Sequence, residues 1–202
     1  MYKKGKERRE QLIDATLKLL NSQKLETISM HMIANEAKIP SSSAYHFFAN
    51  SQEIFIVLAE RFGFLVNKNI SKSYSTSETG SWQKVYSTAV DRAVNIYTHT
   101  PAYCQLILGP YSPPVIKLSD RENDEQLGAL FANVLNQYFE IPDIPDFNKI
   151  VFHSIEIVDL FLSLSFIYHQ KLVKNMIDEG KIAAIAYLGH YLPDRIPPNN
   201  SI

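Results

Sequence analysis

A single cysteine, Cys104, stands in 202 residues. No internal disulfide framework can form, and a reducing compartment suits the chain. Glycine is also sparse, at seven, and none of it builds a phosphate-cradling loop. Metal-ligand spacings such as HExxH or paired cysteines are missing, as is any nucleophile motif. His99 and Cys104 lie five apart across Pro101 and do not suggest a dyad. No enzyme is expected, and with it no catalytic residue, cofactor or metal. Long apolar runs free of charge are missing too. The first, "LIDATLKLL", is broken by Asp14 and Lys18, so no secretory leader and a cytoplasmic location are expected. Ile150 to His169 has membrane-spanning length but carries Glu156 and Asp159. Charges at mid-membrane cost several kcal/mol, so a buried soluble helix and no membrane partner are expected.

What is present is unevenly spread. The net charge is −1, yet residues 1–50 hold eight Lys/Arg against five Asp/Glu, and the rest twelve against sixteen. The basic excess sits in "MYKKGKERRE". That is either a solvated leader or an arm facing an anion, nucleic acid first among candidates. Ten prolines fall at 40, 101, 110, 113, 114, 142, 145, 193, 197 and 198, leaving proline-free stretches of 27 to 60 residues. Strands need more frequent punctuation, so the chain reads as all-α.

Local patterns divide it into about nine helices. Leu12, Thr16, Leu19 and Leu20 stripe a first helix from about 6 to 22. Ser29 caps a short second helix with Met30, Ile33, Ala34 and Ala37 inward. Ser41 caps a third that ends near Phe48, and Asn50 with Glu53 resembles a capping box for a fourth, through about Lys72. Further helices are expected at about 81–99, 101–108, 120–140, 147–170 and 174–192, followed by a loose tail. Only "KIP" separates the second and third helices, which leaves a steep helix-turn-helix crossing.

The third helix starts on Ser41, Ser42 and Ser43, small hydroxyls around the unpaired N–H groups and positive dipole end of its first turn. Tyr45 and His46 extend that tip, while Ala44 and Phe48 face inward. A recognition helix enters the major groove with such an end first, though an N-cap cluster on an ordinary core helix has the same residues.

The stretch "TISMHMIANEAKIPSSSAYHFFANSQEIF" resembles the DNA-binding signature of the tetracycline-repressor (TetR) family. Thr27, Ser29, Ile33, Ala34, Ala37, Ile39, Ser41, Tyr45, Phe48, Glu53 and Ile54 carry the match. The resemblance implies an N-terminal three-helix helix-turn-helix DNA-binding domain over 1–50. A helical ligand-binding and dimerisation domain would span 51–196, its last two helices building a four-helix dimer bundle. Double-stranded DNA contacts are expected from Lys3, Lys4, Lys6, Thr27, Ser29, Lys38, Ser41, Ser42, Ser43, Tyr45 and His46. Three positions depart from the pattern. Lys38 stands where the family has glycine, Phe47 where a phosphate-contacting side chain is common, and Ser51 where lysine anchors the backbone. A helical ligand-binding or interaction module that has lost DNA binding is the alternative these departures support.

The last two helices are apolar on more than one face, so a two-fold homodimer is expected, with Phe161, Leu162, Phe166, Ile185, Tyr187 and Leu188 at its interface. Two recognition helices about 34 Å apart then read a palindrome. His153, Glu156, Asp159 and Ser163 form a polar stripe inside an apolar helix. Buried carboxylates need partners, either Arg92 or Arg121 or a cationic ligand. With Tyr86, Tyr103, Cys104, Tyr111 and Tyr138, the residues His153, Glu156 and Asp159 are the expected contacts of a small-molecule effector. Trp82 and Tyr97 join the same aromatic group, which also reads as plain core.

Overall fold

The computed structural model describes residues 2–199. Among them are helices α1 (Tyr2–Leu20), α2 (Met30–Glu36), α3 (Ser41–Ala44), α4 (Ser51–Ile70) and α5 (Trp82–His99). A π-helical segment, Cys104–Leu108, follows, then α6 (Pro114–Tyr138), α7 (Phe147–His169) and α8 (Lys174–Leu188). The chain is all-α, as expected.

Helix α1 starts earlier than expected and α8 ends earlier, and three further differences bear on the site. Helix α6 begins at Pro114 rather than near residue 120. Proline fits the first turn because its missing N–H is not needed there. The third helix keeps α geometry only to Ala44; His46 and Phe47 then donate to Ser43 and Ala44 carbonyls at 3.2 and 3.0 Å in a tighter turn. The tail is not loose as far as Asn199. Trp82 Nε1 donates to the Pro193 carbonyl at 2.9 Å, and Glu140 N to that of Pro197 at 2.9 Å.

The head is closed by α1 lying over α2 and the start of α4, with α3 packed on α2 and Leu12, Ile13, Ile33, Ala34, Ala44 and Ile54 fully enclosed. Phe47 is half-buried and packs toward Gly5 of α1, whose added Cβ would lie 3.9 Å from the ring. Arg9 stacks over Phe48 at 4.9 Å from the ring centroid. The departure at Phe47 is therefore a packing choice that ties the basic helix to the recognition turn.

Lys38 resolves the missing glycine. Its φ is 56°, in the left-handed region, and it ends α2 in a Schellman motif. Ile39 N donates to the Ala34 carbonyl at 2.9 Å and Lys38 N to that of Asn35 at 3.1 Å. A side chain costs about 1 kcal/mol in that conformation, partly offset by the greater unfolded-state freedom of glycine. Lys38→Gly is expected to raise stability by up to about 1 kcal/mol in urea titration. Lower stability would refute the strain account.

In the body, α6 and α7 approach closely at Gly128. A Cβ there would meet Phe152 Cβ at 2.8 Å and the Asn148 carbonyl oxygen at 2.9 Å. That approach aligns the acidic residues of the two helices. Helix α7 has the length and hydropathy to cross a membrane, but its stripe of Val158, Leu162 and Phe166 is buried in this chain's own core.

Candidate functional site: an exposed turn and an acidic cavity

The recognition turn is exposed where the sequence requires it. Lys4, Lys6, Thr27, Ser29, Lys38, Ser42, Tyr45 and His46 are open to solvent, and Ser41 and Ser43 half so. The side chain of Lys3 lies outside the described residues. Several hydroxyls are already engaged. Ser29 Oγ accepts from Met32 N at 3.3 Å, capping α2, and Thr27 Oγ1 donates to the Lys24 carbonyl at 2.7 Å. Ser41 Oγ meets His31 Nδ1 at 3.2 Å, which fixes α3 on α2. Ser42, Tyr45 and His46 are the exposed tip of the turn.

A cavity in the body is walled by α4, α5, α6 and α7. The centre of a water-sized sphere can range over about 60 Å³ inside it. Phe62, Val66 and Ile70 of α4 form one apolar wall; Leu127, Phe131, Val158 and Leu162 form the other. Tyr86 and Tyr97 of α5 present their rings, Phe62 lying 4.7 Å from Tyr97 and Phe131 5.6 Å from Tyr86, centroid to centroid. Asp120, Asp124 and Asp159 close the polar end.

One oxygen from each of these three aspartates lies within 4.8 Å of the others. Arg121 Nη1 is seated among them, 3.4 Å from Asp120, 3.1 Å from Asp124 and 3.6 Å from Asp159. Its Nε holds Glu156 Oε2 at 2.8 Å. One guanidinium therefore serves four carboxylates. Burial pushes Asp159 up to about 7, with the Asp120 charge adding and Arg121 opposing. Burial likewise lifts Asp120 to about 6 against Arg121 and Lys117. Asp124 is held well above the ordinary carboxylate range by burial and then by Asp159, and it lies within hydrogen-bonding reach of Glu156. Low dielectric makes it cheaper to keep protons here than four charges.

Of the expected effector contacts, Tyr86 and Asp159 line the cavity, together with Tyr97. Six do not. Glu156 reaches Arg121 instead. Tyr103 is buried with its ring 5.1 Å from Phe62, and burial pushes the Cys104 thiol up to about 12, leaving it protonated. Tyr111 is exposed on another face. The Tyr138 hydroxyl accepts from Tyr74 N at 3.0 Å, and His153 Nδ1 lies 3.2 Å from the Tyr187 hydroxyl. Of the two internal partners considered for Glu156 and Asp159, Arg121 is the one that reaches them. Arg92 instead donates to the Asn69, Lys72 and Ser73 carbonyls at 3.2, 2.8 and 2.9 Å. Asp120 and Asp124 went unread because they sit in a polar run, "SDRENDEQ", that looks like a solvated face.

Three of the six expected interface residues turn inward. Leu162, Phe166 and Leu188 are buried within the chain, on the inward stripe. Phe161, Ile185 and Tyr187 are half-buried. The outward stripe is Leu160, Ile167 and Tyr168 of α7 with Ile182 of α8, all exposed. The helical period of 3.6 separates the two faces, and an apolar composition alone does not.

Residues 80–191, more than half of the chain, match the family described as "Tetracyclin repressor-like, C-terminal domain". The chain belongs to the tetracycline-repressor-like family. It is a ligand-responsive, DNA-binding transcriptional regulator. No curated protein matches its sequence. Its TetR fold is shared with solved structures of low identity. A TetR-family transcriptional regulator from Streptomyces coelicolor superposes with a TM-score of 0.69 at 21% identity, covering 92% of this chain and 99% of its own. A TetR regulator from Rhodococcus sp. RHA1 gives 0.65 at 13%, covering 93% and 98%. The multidrug binding protein EbrR, solved with ethidium, gives 0.64 at 14%, covering 89% and 98%.

The TetR-like body is joined to its head by contacts absent from the sequence reading. Gln105, in the π-helical segment, donates through Nε2 to the Leu20 and Gln23 carbonyls at 2.6 and 3.0 Å. Its Oε1 accepts from Leu25 N at 3.1 Å. Ala102 N donates to Asn21 Oδ1 at 3.1 Å beside it. Gly109 ends this segment, since a Cβ there would lie 2.4 Å from the Gln105 carbonyl oxygen. Nothing in the residue pattern distinguishes Gln105 from its neighbours.

Proposed function

We propose that this regulator is a homodimeric repressor of a palindromic operator, released when a small molecule fills the α4–α7 cavity. Residues 1–50 read DNA and 51–196 bind ligand and partner. It works in the cytoplasm as a regulator and not an enzyme, without a membrane partner. One observation carries this reading: α4 starts at Ser51, directly after the recognition turn, and its Phe62, Val66 and Ile70 wall the cavity. A ligand that favours one position of this rod biases the spacing of two heads, and differential affinity for those states is what coupling requires. The ethidium bound by EbrR is consistent with small-molecule occupancy of such a body. Dimerisation uses the exposed stripe of Leu160, Ile167, Tyr168 and Ile182.

The test combines light scattering with footprinting on DNA flanking the coding region. A dimer protecting one palindrome is expected. Leu160→Glu with Ile182→Glu is expected to give a monomer with at least tenfold weaker operator binding, because two half-sites are no longer read together. Salt-sensitive binding without a preferred sequence would refute the repressor reading.

A further inference from the structure

The cavity combines an aromatic, apolar body with a polar end rich in carboxylates, and Arg121 is not among its lining residues. The guanidinium that bonds to the aspartates is 40% exposed. A second observation is independent of the acids. Tyr86, only 2% exposed, lines the same cavity, and its hydroxyl, beside Ser154, meets no donor or acceptor in full hydrogen-bond geometry among the described residues. Ser154, its near neighbour, spends its own hydroxyl proton on the Val151 carbonyl at 2.6 Å. A buried phenol oxygen left in this way lacks a donor, at a cost a ligand N–H can remove.

We infer that the cavity takes a compact organic ammonium ion, its apolar body between the Phe62, Tyr97 and Phe131 rings, its N–H groups on Tyr86 and Asp159, and that binding expels a proton from the aspartate cluster. This inference rests on the cavity being the effector site. The free space is several times the roughly 10–15 Å³ that one water needs on the same measure, which suits a single-ring ligand. Aromatic rings beside carboxylates attract a cation through both quadrupole and charge. A divalent ion fits less well, because Arg121 Nη1 already stands among the three aspartate oxygens.

Proton release follows from the groups around the site. Helix α6 supplies Lys117, Asp120, Arg121 and Asp124, and α7 supplies His153, Glu156 and Asp159. Helix α5 supplies the Tyr86 and Tyr97 phenols, the π-helical segment Cys104, and α4 lines the cavity with apolar side chains alone. Asp159, pushed up to about 7, retains a proton in the empty cavity below neutrality. An ammonium ion favours its carboxylate, so one proton leaves as one cation enters, and charge balances.

Titration calorimetry of the full-length protein tests this with phenethylamine, 2-phenylethanol and 3-phenylpropanoate, in buffers of different ionisation enthalpy from pH 5 to 8. Phenethylamine should bind at least tenfold tighter than the neutral alcohol and the anion. Its affinity should rise by up to tenfold per pH unit below about 7, as expected for release of one proton. Asp159→Asn should remove that slope and at least tenfold of affinity. Tyr86→Phe, which keeps the ring, should weaken the amine more than the alcohol. Equal binding of amine and alcohol overturns the inference, as does a pH-independent affinity or binding of Mn²⁺ alone lost in Asp159→Asn. So does silence from all three compounds. Operator affinity measured in parallel separates the two readings: intact, alcohol-sensitive DNA binding keeps the repressor and discards the cation, whereas absent operator binding discards the repressor.

Discussion

Replacing Arg121 by methionine is expected to destabilise the protein by about 2–3 kcal/mol at pH 8 and by far less at pH 5. Breaking a buried ion pair usually costs about 3–5 kcal/mol, and water screening of this 40% exposed guanidinium lowers the figure. Four carboxylates share the one cation, so its loss leaves uncompensated charge wherever they are ionised. The pH dependence has a fixed sign. Asp120 and Asp159 rise to about 6 and 7 on folding, and Asp124 rises as well. Carboxyls raised in this way favour the folded state fully at low pH, and that contribution is lost as pH climbs through 6 to 7. Wild-type protein should therefore lose stability between pH 5 and 8, and the methionine variant should lose more. Urea titrations at pH 5, 6.5 and 8 read this directly, and an equal penalty at all three would mean that Arg121 acts through packing alone.

Gln105→Ala is expected to disconnect the cavity from the DNA-binding head. The side chain makes three hydrogen bonds to the end of α1 and the turn after it, and their loss should cost about 1–2 kcal/mol. The informative readout is coupling. Ala89→Phe places a ring in the cavity, where Ala89 is part of the lining, and should mimic an occupant by shifting operator affinity. In a double-mutant cycle the two changes should interact by about 1–2 kcal/mol, with Gln105→Ala blunting the effect of the added ring. Hydrogen exchange supplies a second measure, because the Leu25 amide loses its acceptor and should exchange faster. Strict additivity on operator affinity would show that α4 alone links the two ends.

The head was legible in the sequence because its constraints are local. A capping serine, a three-residue turn and the inward pair Ala44 and Phe48 each act within one or two turns of chain. The length of α3 was less so, since a tight turn after Ala44 places the same side chains as another turn of helix. The cavity was half legible. Glu156 and Asp159 stood out as charges inside an apolar helix, and the need for a cation left Arg92, Arg121 or a ligand as candidates. Asp120 and Asp124 did not stand out, because their burial comes from α6 meeting α7 at Gly128, a contact between distant segments. Leu162, Phe166 and Leu188 turned inward for a related reason: in a helix apolar on several sides, composition leaves open which stripe faces the chain's own core.

The π-helical segment has a consequence for how this chain tolerates insertions and deletions. A π turn holds one more residue than an α turn between its bonded groups. Removing a residue from Cys104–Leu108 would let the segment relax into an ordinary helix, an intrinsically easier conformation. Each residue of helix turns the side chains after it by about 100°. Loss of Cys104 would then swing Gln105 off the Leu20 and Gln23 carbonyls and turn the buried Leu106, Ile107 and Leu108 with it. The bulge thus sets the phase of Gln105 against the end of α1, and a one-codon deletion at Cys104 should uncouple the two ends of the molecule and cost core packing as well.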